Sequence, residues 1–157
     1  MREYKSRSIH LIQGVLFAGS LKKIKLPHGD HAFVCEGRPG LEAGKRTSSF
    51  LLKQGIVPTV ICDNMAGHLF YKKLVKEVVM ACQYADHTGA LCDTGALILA
   101  ILAQKHHVPV RLTVGERRSR FLGDPRALLS FEGRQTAPKG TKAYVPLVEW
   151  VPAKYLK

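Results

Sequence analysis

One feature constrains this chain more than any other: short β-branched runs alternate with longer segments whose apolar residues follow helical spacing. The runs are residues 32–36 (AFVCE), 58–63 (PTVICD), 77–82 (EVVMAC) and 108–114 (VPVRLTV). Each is nearly continuous in apolar residues, the pattern of strands covered on both faces. Between them, residues 45–54 set Phe50, Leu51 and Leu52 on a helix that Gly55 closes, and residues 94–106 (TGALILAILAQKH) form an apolar helix begun near Asp93 and stopped by Pro109. Alternation of this kind builds βαβ units, so the expected fold is α/β, a parallel sheet with helices on both faces.

Ahead of the first run, residues 9–25 carry apolar side chains at 9, 12, 16, 17, 21 and 24, which predicts a further helix weakened by Gly14 and Gly19. After Val114, the stretches GERRSRFLGDPR and GRQTAPKGTKAYVP are polar, basic and rich in Gly and Pro. They predict an irregular tail laid over the sheet rather than a second domain. A length of 157 residues fits one domain over residues 1–157, and 46% hydrophobic against 23% charged residues supplies its core and excludes a disordered chain. The longest uncharged apolar stretch, residues 95–103, falls far short of the ~20 residues that cross a bilayer, so no membrane partner is expected. Cys35, Cys62, Cys82 and Cys92 lie among apolar or small residues without CxxC spacing, and the opening MREYKSRS is no secretion signal. Both point to a reducing, cytoplasmic compartment.

Lys and Arg number 24 against 12 Asp and Glu, a net charge of +12 that attracts nucleic acid, sugar phosphates or acidic proteins without choosing among them. Parallel sheets bind ligands beyond the carboxyl ends of their strands, near a switch in strand order. Two polar, Gly-containing turns fall there: Glu36, Gly37, Arg38 and Pro39 after the first run, and Asp63 to His68 after the second. Arg38 is the best phosphate fork among them, its alternative being a local pair with Glu36. Asn64 is either a ligand group or a turn residue. The densest chemical cluster is residues 82–89 (CQYADHTG), where Asp86 beside His87 offers acid/base chemistry and Cys82 or Cys92 a nucleophile, against core thiols as the alternative. No HxxxH or CxxC spacing points to a metal, and no cofactor is expected. Arg117, Arg118 and Arg120 form a basic loop, either a phosphate grip or a solvated segment; nucleic-acid binding rests mainly on net charge. His106 and His107 close a helix, where positive charge is favoured, and need no ligand role.

The stretch CEGRPGLEAGKRTSSFLLKQGIVPTVICDNMAGHLF resembles the carboxyl-terminal domain of the methylthioribose-1-phosphate isomerase and translation initiation factor 2B alpha/beta/delta family. The matching motifs are Glu36, Arg38 and Pro39, then Gly44 and Arg46, then residues 55–59, then Asp63 to His68. The likeness resumes in LAILAQKHHVPV and in the tail RQTAPKGTKAYVPLVEWVPAKYL, covering residues 34–156.

The resemblance implies a Rossmann-like three-layer domain, a homodimer, and the absence of the family's helical amino-terminal domain. It implies an aldose-to-ketose sugar-phosphate isomerase whose Cys lies in a Thr-His-Cys-Asn-Ala-Gly segment and whose Asp lies in Gly-Ala-Asp-Arg, with an Asn-Lys pair on the substrate. Here the first segment reads SIHLIQGVLFAGSL without Cys, the second falls near Ala81, Cys82 and Gln83, and the pair falls on Cys92 and Asp93. Asp86 takes the place of the catalytic Asp if a gap lies between it and Gly95. The expectation is therefore a phosphorylated sugar or nucleotide held through Arg38, Arg46, Asn64 and Gly95, with Asp86 and Cys92 as the candidate catalytic pair and isomerisation doubtful. A noncatalytic regulatory or interaction module, with nucleic acid as a weak partner, is the alternative.

Overall fold

A computed structural model describes residues 4–21 and 24–156. Strand β1 (Ile9–Gln13) leads through a short α1 (Ala18–Leu21) to β2 (His31–Cys35), and a π-helical turn (Ala43–Thr47) runs into α2 (Ser48–Lys53). After β3 (Thr59–Ile61), a 3-10 turn (Asp63–Met65) enters α3 (Ala66–Tyr71). The long β4 (Val75–Asp86) makes a hairpin with β5 (Gly89–Asp93), followed by α4 (Ala96–Lys105) and β6 (Val110–Val114). A strap of α5 (Arg126–Leu129), β7 (Ser130–Phe131) and β8 (Arg134–Gln135) precedes β9 (Val148–Pro152).

Strands β3, β2, β1, β4 and β6 lie side by side in that order and all parallel. Their side chains alternate between two cores, as the period of two requires. Ile9, Leu11, Phe33, Cys35, Val78 and Met80 face α3 and α4, while Ile12, Ala32, Val34, Val79 and Ala81 face Leu51 of α2 and Ile24. The expected α/β architecture with helices on both faces is thus present. Beyond Cys82, β4 outruns its neighbours and pairs antiparallel with β5, which pairs antiparallel with β9, so the sheet is mixed rather than wholly parallel. This extension rises past the carboxyl ends of the parallel strands and positions one wall of the site.

Three expectations are corrected. The helix expected over residues 9–25 is confined, among the described residues, to the short α1: Ile9–Gln13 is buried on both faces as a central strand, and its spacing at 9, 12 and 16 matches a helical face only by coincidence. Gly14, at φ +85°, ends it where an added Cβ would stand 2.9 Å from that of Ala81. The segment after Val114 is less irregular than its Gly and Pro content predicts, because β9 completes the sheet edge along β5. Apolar runs also misplace strand ends: only Thr59–Ile61 of residues 58–63 pair, whereas β4 extends in both directions beyond residues 77–82.

Candidate functional site

Strand β1 has β2 on one side and β4 on the other, so the chain reverses its direction of sheet growth between β1 and β4. Crevices form at such switch points. A cavity of about 200 Å³ opens here. Its walls are Gln13 and Gly14 from the end of β1, Gly37 and Arg38 from the turn after β2, Asp93 and Thr94 from the end of β5, and Arg118. The α5 segment roofs it through Asp124 and Ala127.

The turn after β2 is fixed by one carboxylate. Asp63 accepts hydrogen bonds from the backbone N–H of Gly37 at 2.9 Å and of Arg38 at 2.8 Å. Two motifs far apart in the sequence are thereby joined: the start of the second aims the first. The Arg38 guanidinium lies over the ring of Phe131 in the strap, 4.3 Å from its centroid. A stacked guanidinium keeps its edge donors available. Thr47 is fully buried and donates to the Gly14 carbonyl at 3.2 Å, tying the start of α2 to the loop after β1.

The second guanidinium is engaged within the protein. Arg118 forks onto Asp93 through Nε at 3.0 Å and Nη2 at 3.1 Å, and also donates to Glu42. Burial alone would lower the pKa of Arg118, but the hydrogen bond and charge of Asp93, joined by Glu42, hold it above its ordinary value. Asp93 is buried and also accepts the Val15 N–H at 3.2 Å. A bulge between Cys82 and Tyr84 turns the Gln83 side chain so that its Oε1 accepts the backbone N–H of Arg118 at 2.8 Å. Bulges re-aim side chains in this way beside functional sites.

The six residues expected to form the site are spread over several places. Arg38 lines the crevice. Arg46 lies in a neighbouring cleft that shares Glu42 and Arg118 with it, and is paired with Glu116. Asn64 and Gly95 line an apolar groove between α3 and α4 that meets the crevice at Gln13. The Gly95 N–H and the Leu97 N–H both donate to Glu149, at 2.7 and 2.8 Å, so the start of α4 already holds a carboxylate. Asp86 sits exposed at the β4–β5 turn, where the hydroxyl and N–H of Thr88 and the hydroxyl of Tyr84 hold its carboxyl down at about 2. Cys92 is buried in the core opposite Cys82, and burial first, then Cys82, Asp93 and Glu149, push its thiol up to about 12. Neither Asp86 nor Cys92 lines the crevice.

Gln13, Asp93, Arg118 and Phe131 are additions that sequence reasoning did not select. Asp93 was visible only as a replacement for a substrate-side Lys, and Arg118 only as one of three loop arginines. Its inward turn splits it from the exposed Arg117 and Arg120, so the loop does not present three cations together. Among the described residues, no three His, Cys, Asp or Glu side chains are gathered to hold a metal ion. No helix of the described residues is long and apolar enough to cross a membrane.

The sequence model of the Initiation factor 2 subunit family matches residues 21–157. The chain belongs to this family. Proteins similar to it include a methylthioribose-1-phosphate isomerase of Carboxydothermus hydrogenoformans, 30% identical over 95% of this chain and 45% of that protein. A 5-deoxyribose 1-phosphate isomerase of Petrotoga mobilis is 32% identical over 77% of this chain and 38% of that protein. The chain therefore spans less than half the length of these curated relatives. Its fold is that of the translation initiation factor eIF-2B subunit delta from A. fulgidus, with a TM-score of 0.77 at 19% identity over 97% of this chain and 51% of that one. The 5-methylthioribose 1-phosphate isomerase of Pyrococcus horikoshii shares it, with a TM-score of 0.72 at 19% identity over 96% of this chain and 49% of that one.

Proposed function

We propose that the crevice binds a phosphorylated sugar, with its phosphate on Arg38, and that this chain alone does not isomerise it. The observation that carries the reading is the state of Arg38: it lines the crevice, its turn is fixed by Asp63, its guanidinium is steadied by Phe131, and among the described residues no carboxylate forms an ion pair with it. The named substrates of the similar isomerases, pentose 1-phosphates, supply the ligand class. Proton transfer between adjacent carbons needs a positioned acid/base pair. Asp93, the buried carboxylate of the crevice, is committed to Arg118 and Val15, and among the described residues no thiol or imidazole lines the walls.

Calorimetric titration with 5-deoxyribose 1-phosphate tests the binding step. Arg38→Ala is expected to weaken it by about 1.5–3 kcal/mol, the worth of a charge-assisted hydrogen bond. Unchanged affinity in that variant rejects the site. An NMR assay with methylthioribose 1-phosphate tests the second step, and no ketose above background is expected. Steady ketose formation that Asp86→Asn abolishes and Cys92→Ser reduces overturns it and makes Asp86 the catalytic carboxylate.

The interaction-module reading has one observation in its favour. Helix α4 carries no charge before Lys105 and exposes Ile98 and Ile101 by 61% and 40% on its outer face. A helix apolar on all sides is normally buried. Homodimerisation through this face predicts a dimer by light scattering that Ile98→Glu dissociates; a monomer at all concentrations rejects it.

A further inference from the structure

Three helices of this molecule end in the same backbone device. At each, the second residue past the helix cap bonds five residues back and the first bonds three back: Ile56 to Leu51 with Gly55 to Leu52, Leu74 to Leu69 with Lys73 to Phe70, and Val108 to Ala103 with His107 to Gln104. This is the Schellman closure, whose left-handed position glycine normally fills. At the end of α2 it is Gly55, at φ +75°. At α3 and α4 the same position is held by Lys73 at φ +55° and His107 at φ +53°, side chains that adopt this conformation at a cost.

Both non-glycine exceptions, Lys73 and His107, face one cavity, and the glycine does not. The cavity, of about 290 Å³, lies at the amino ends of the strands, away from the Arg38 crevice. Arg7, Lys73, Lys105, His106 and His107 surround a floor of Phe70, Val75 and Val108. Arg7 is itself left-handed, at φ +51°, and its segment is tied to the end of α3, because the Lys73 carbonyl accepts the Arg7 N–H at 3.0 Å and the Ser6 hydroxyl at 3.1 Å. Among the described residues, no Asp or Glu lines the cavity. Among the described residues, Arg7, Lys73 and Lys105 form no ion pair. Two helix ends supply together a partial charge of roughly −1 at most, which cannot offset three fixed cations. The closures also occupy carbonyls at these helix ends.

We propose that this cavity is a binding site for a polyanionic phosphate group, a diphosphate either free or carried on a nucleotide. Left-handed lysine and histidine at two closures, where a neighbouring closure uses glycine, give up backbone ease for side chains directed to one place. The apolar floor, with His106 against Phe70 at 5.6 Å between ring centroids, lowers the competition of water for the anion. The site shares no residue with the Arg38 crevice, so its fate is independent of the reading above.

The test is a two-dimensional NMR titration of the 15N-labelled chain with inorganic diphosphate at physiological salt, with ADP as a second arm. Saturable shifts are expected at Arg7, Lys73, Lys105, His106 and His107. Arg7→Gln and Lys105→Gln should each bind roughly tenfold more weakly, whereas Lys139→Gln, which removes an exposed charge elsewhere, should bind as the parent does. Lys73→Gly should weaken binding by a similar factor while the unfolding temperature stays level or rises. Binding of diphosphate alone at these residues identifies a free anion, and binding of ADP as tightly or more tightly identifies a nucleotide; both support the proposal. Shifts scattered over the surface lysines, shifts centred on Arg38, or an equal loss in Lys139→Gln overturn it. So does a Lys73→Gly variant that is less stable and binds unchanged, since the cation then serves only the helix end.

Discussion

The two ends of the sheet treat positive charge in opposite ways. At the carboxyl ends, Arg118 is forked onto Asp93 and Glu42, and Arg46 is paired with Glu116, leaving Arg38 as the crevice guanidinium without an ion-pair partner among the described residues. At the amino ends, Arg7, Lys73 and Lys105 face a cavity that no carboxylate of the described residues lines. A net charge of +12 therefore says little about where an anion would dwell. What decides is whether acids are folded in beside the bases. The carboxyl-end site is aimed and charge-balanced; the amino-end cavity carries a surplus.

The largest way to break the contrast is to loosen the aimed end. Asp63→Ala leaves two half-buried backbone N–H groups, of Gly37 and Arg38, without their acceptor. It is expected to cost about 2–4 kcal/mol of stability, since each stranded donor costs about 1–3 kcal/mol. Denaturant unfolding measures this, and sugar-phosphate binding should fail with it. A loss under about 0.5 kcal/mol, the range of an inert surface change, would show that the turn holds itself. Next in size, Asp93→Asn removes the carboxylate that occupies Arg118. Stability should drop by about 1–3 kcal/mol while sugar-phosphate affinity rises, because a second guanidinium is then released toward the crevice. Weaker binding in this variant would mean that Asp93 touches the ligand itself.

A third charge cluster sharpens the comparison through pH. On the other face of the sheet, buried His10 bridges Glu77 at 2.7 Å and Asp30 at 2.8 Å, and these acids are further held by Arg111 and Lys76. The Arg111 hydrogen bond, against burial and with help from His10, holds the Glu77 carboxyl below its ordinary value. Burial pushes Asp30 up, but hydrogen bonds from Lys76 and His10 outweigh it and hold Asp30 low as well. A depressed folded-state pKa stabilises the fold above the ordinary carboxylate range and ceases to do so as pH falls through the folded value. Acid unfolding of the parent should therefore steepen below the usual Glu and Asp range, and Glu77→Gln should flatten that limb. An unchanged limb in Glu77→Gln would assign acid sensitivity to another set of carboxylates.

The parallel sheet was legible because its strands are apolar on both faces, and the turns after β2 and β3 were legible because Gly, Arg, Asp and Asn cluster where strands stop. The first strand was not. Ile9, Leu11 and Ile12 look alike to a period of two and to a period of 3.6 over so short a run, and tertiary pairing with β2 and β4 decides between them. Nor could local sequence place Arg118 on Asp93, 25 positions away, or Phe131 beneath Arg38. Those contacts depend on how far β4 outruns its neighbours and on where the strap returns. The sequence position of His107 supports only a helix end where positive charge is favoured; its left-handed backbone and its neighbour Lys73 become informative only in three dimensions.

The smallest expected effect isolates the backbone part of the contrast. Gly55 occupies at α2 the position that Lys73 and His107 occupy at α3 and α4, and an added Cβ there meets no atom within 4 Å. Gly55→Lys therefore changes the left-handed residue without a steric clash and without building a cavity. Its cost should be about 1 kcal/mol, the difference between glycine and another residue at positive φ, seen as a fall of about 2–4 °C in the unfolding temperature. Diphosphate affinity should not change, since this lysine stands apart from the basic cavity. If Gly55→Lys were instead neutral, the left-handed turn would tolerate lysine freely, and the presence of Lys73 at α3 would no longer signal a trade of stability for binding. A full loss of about 1 kcal/mol makes left-handed Lys73 and His107 a measurable burden at the two helix closures that face the cavity.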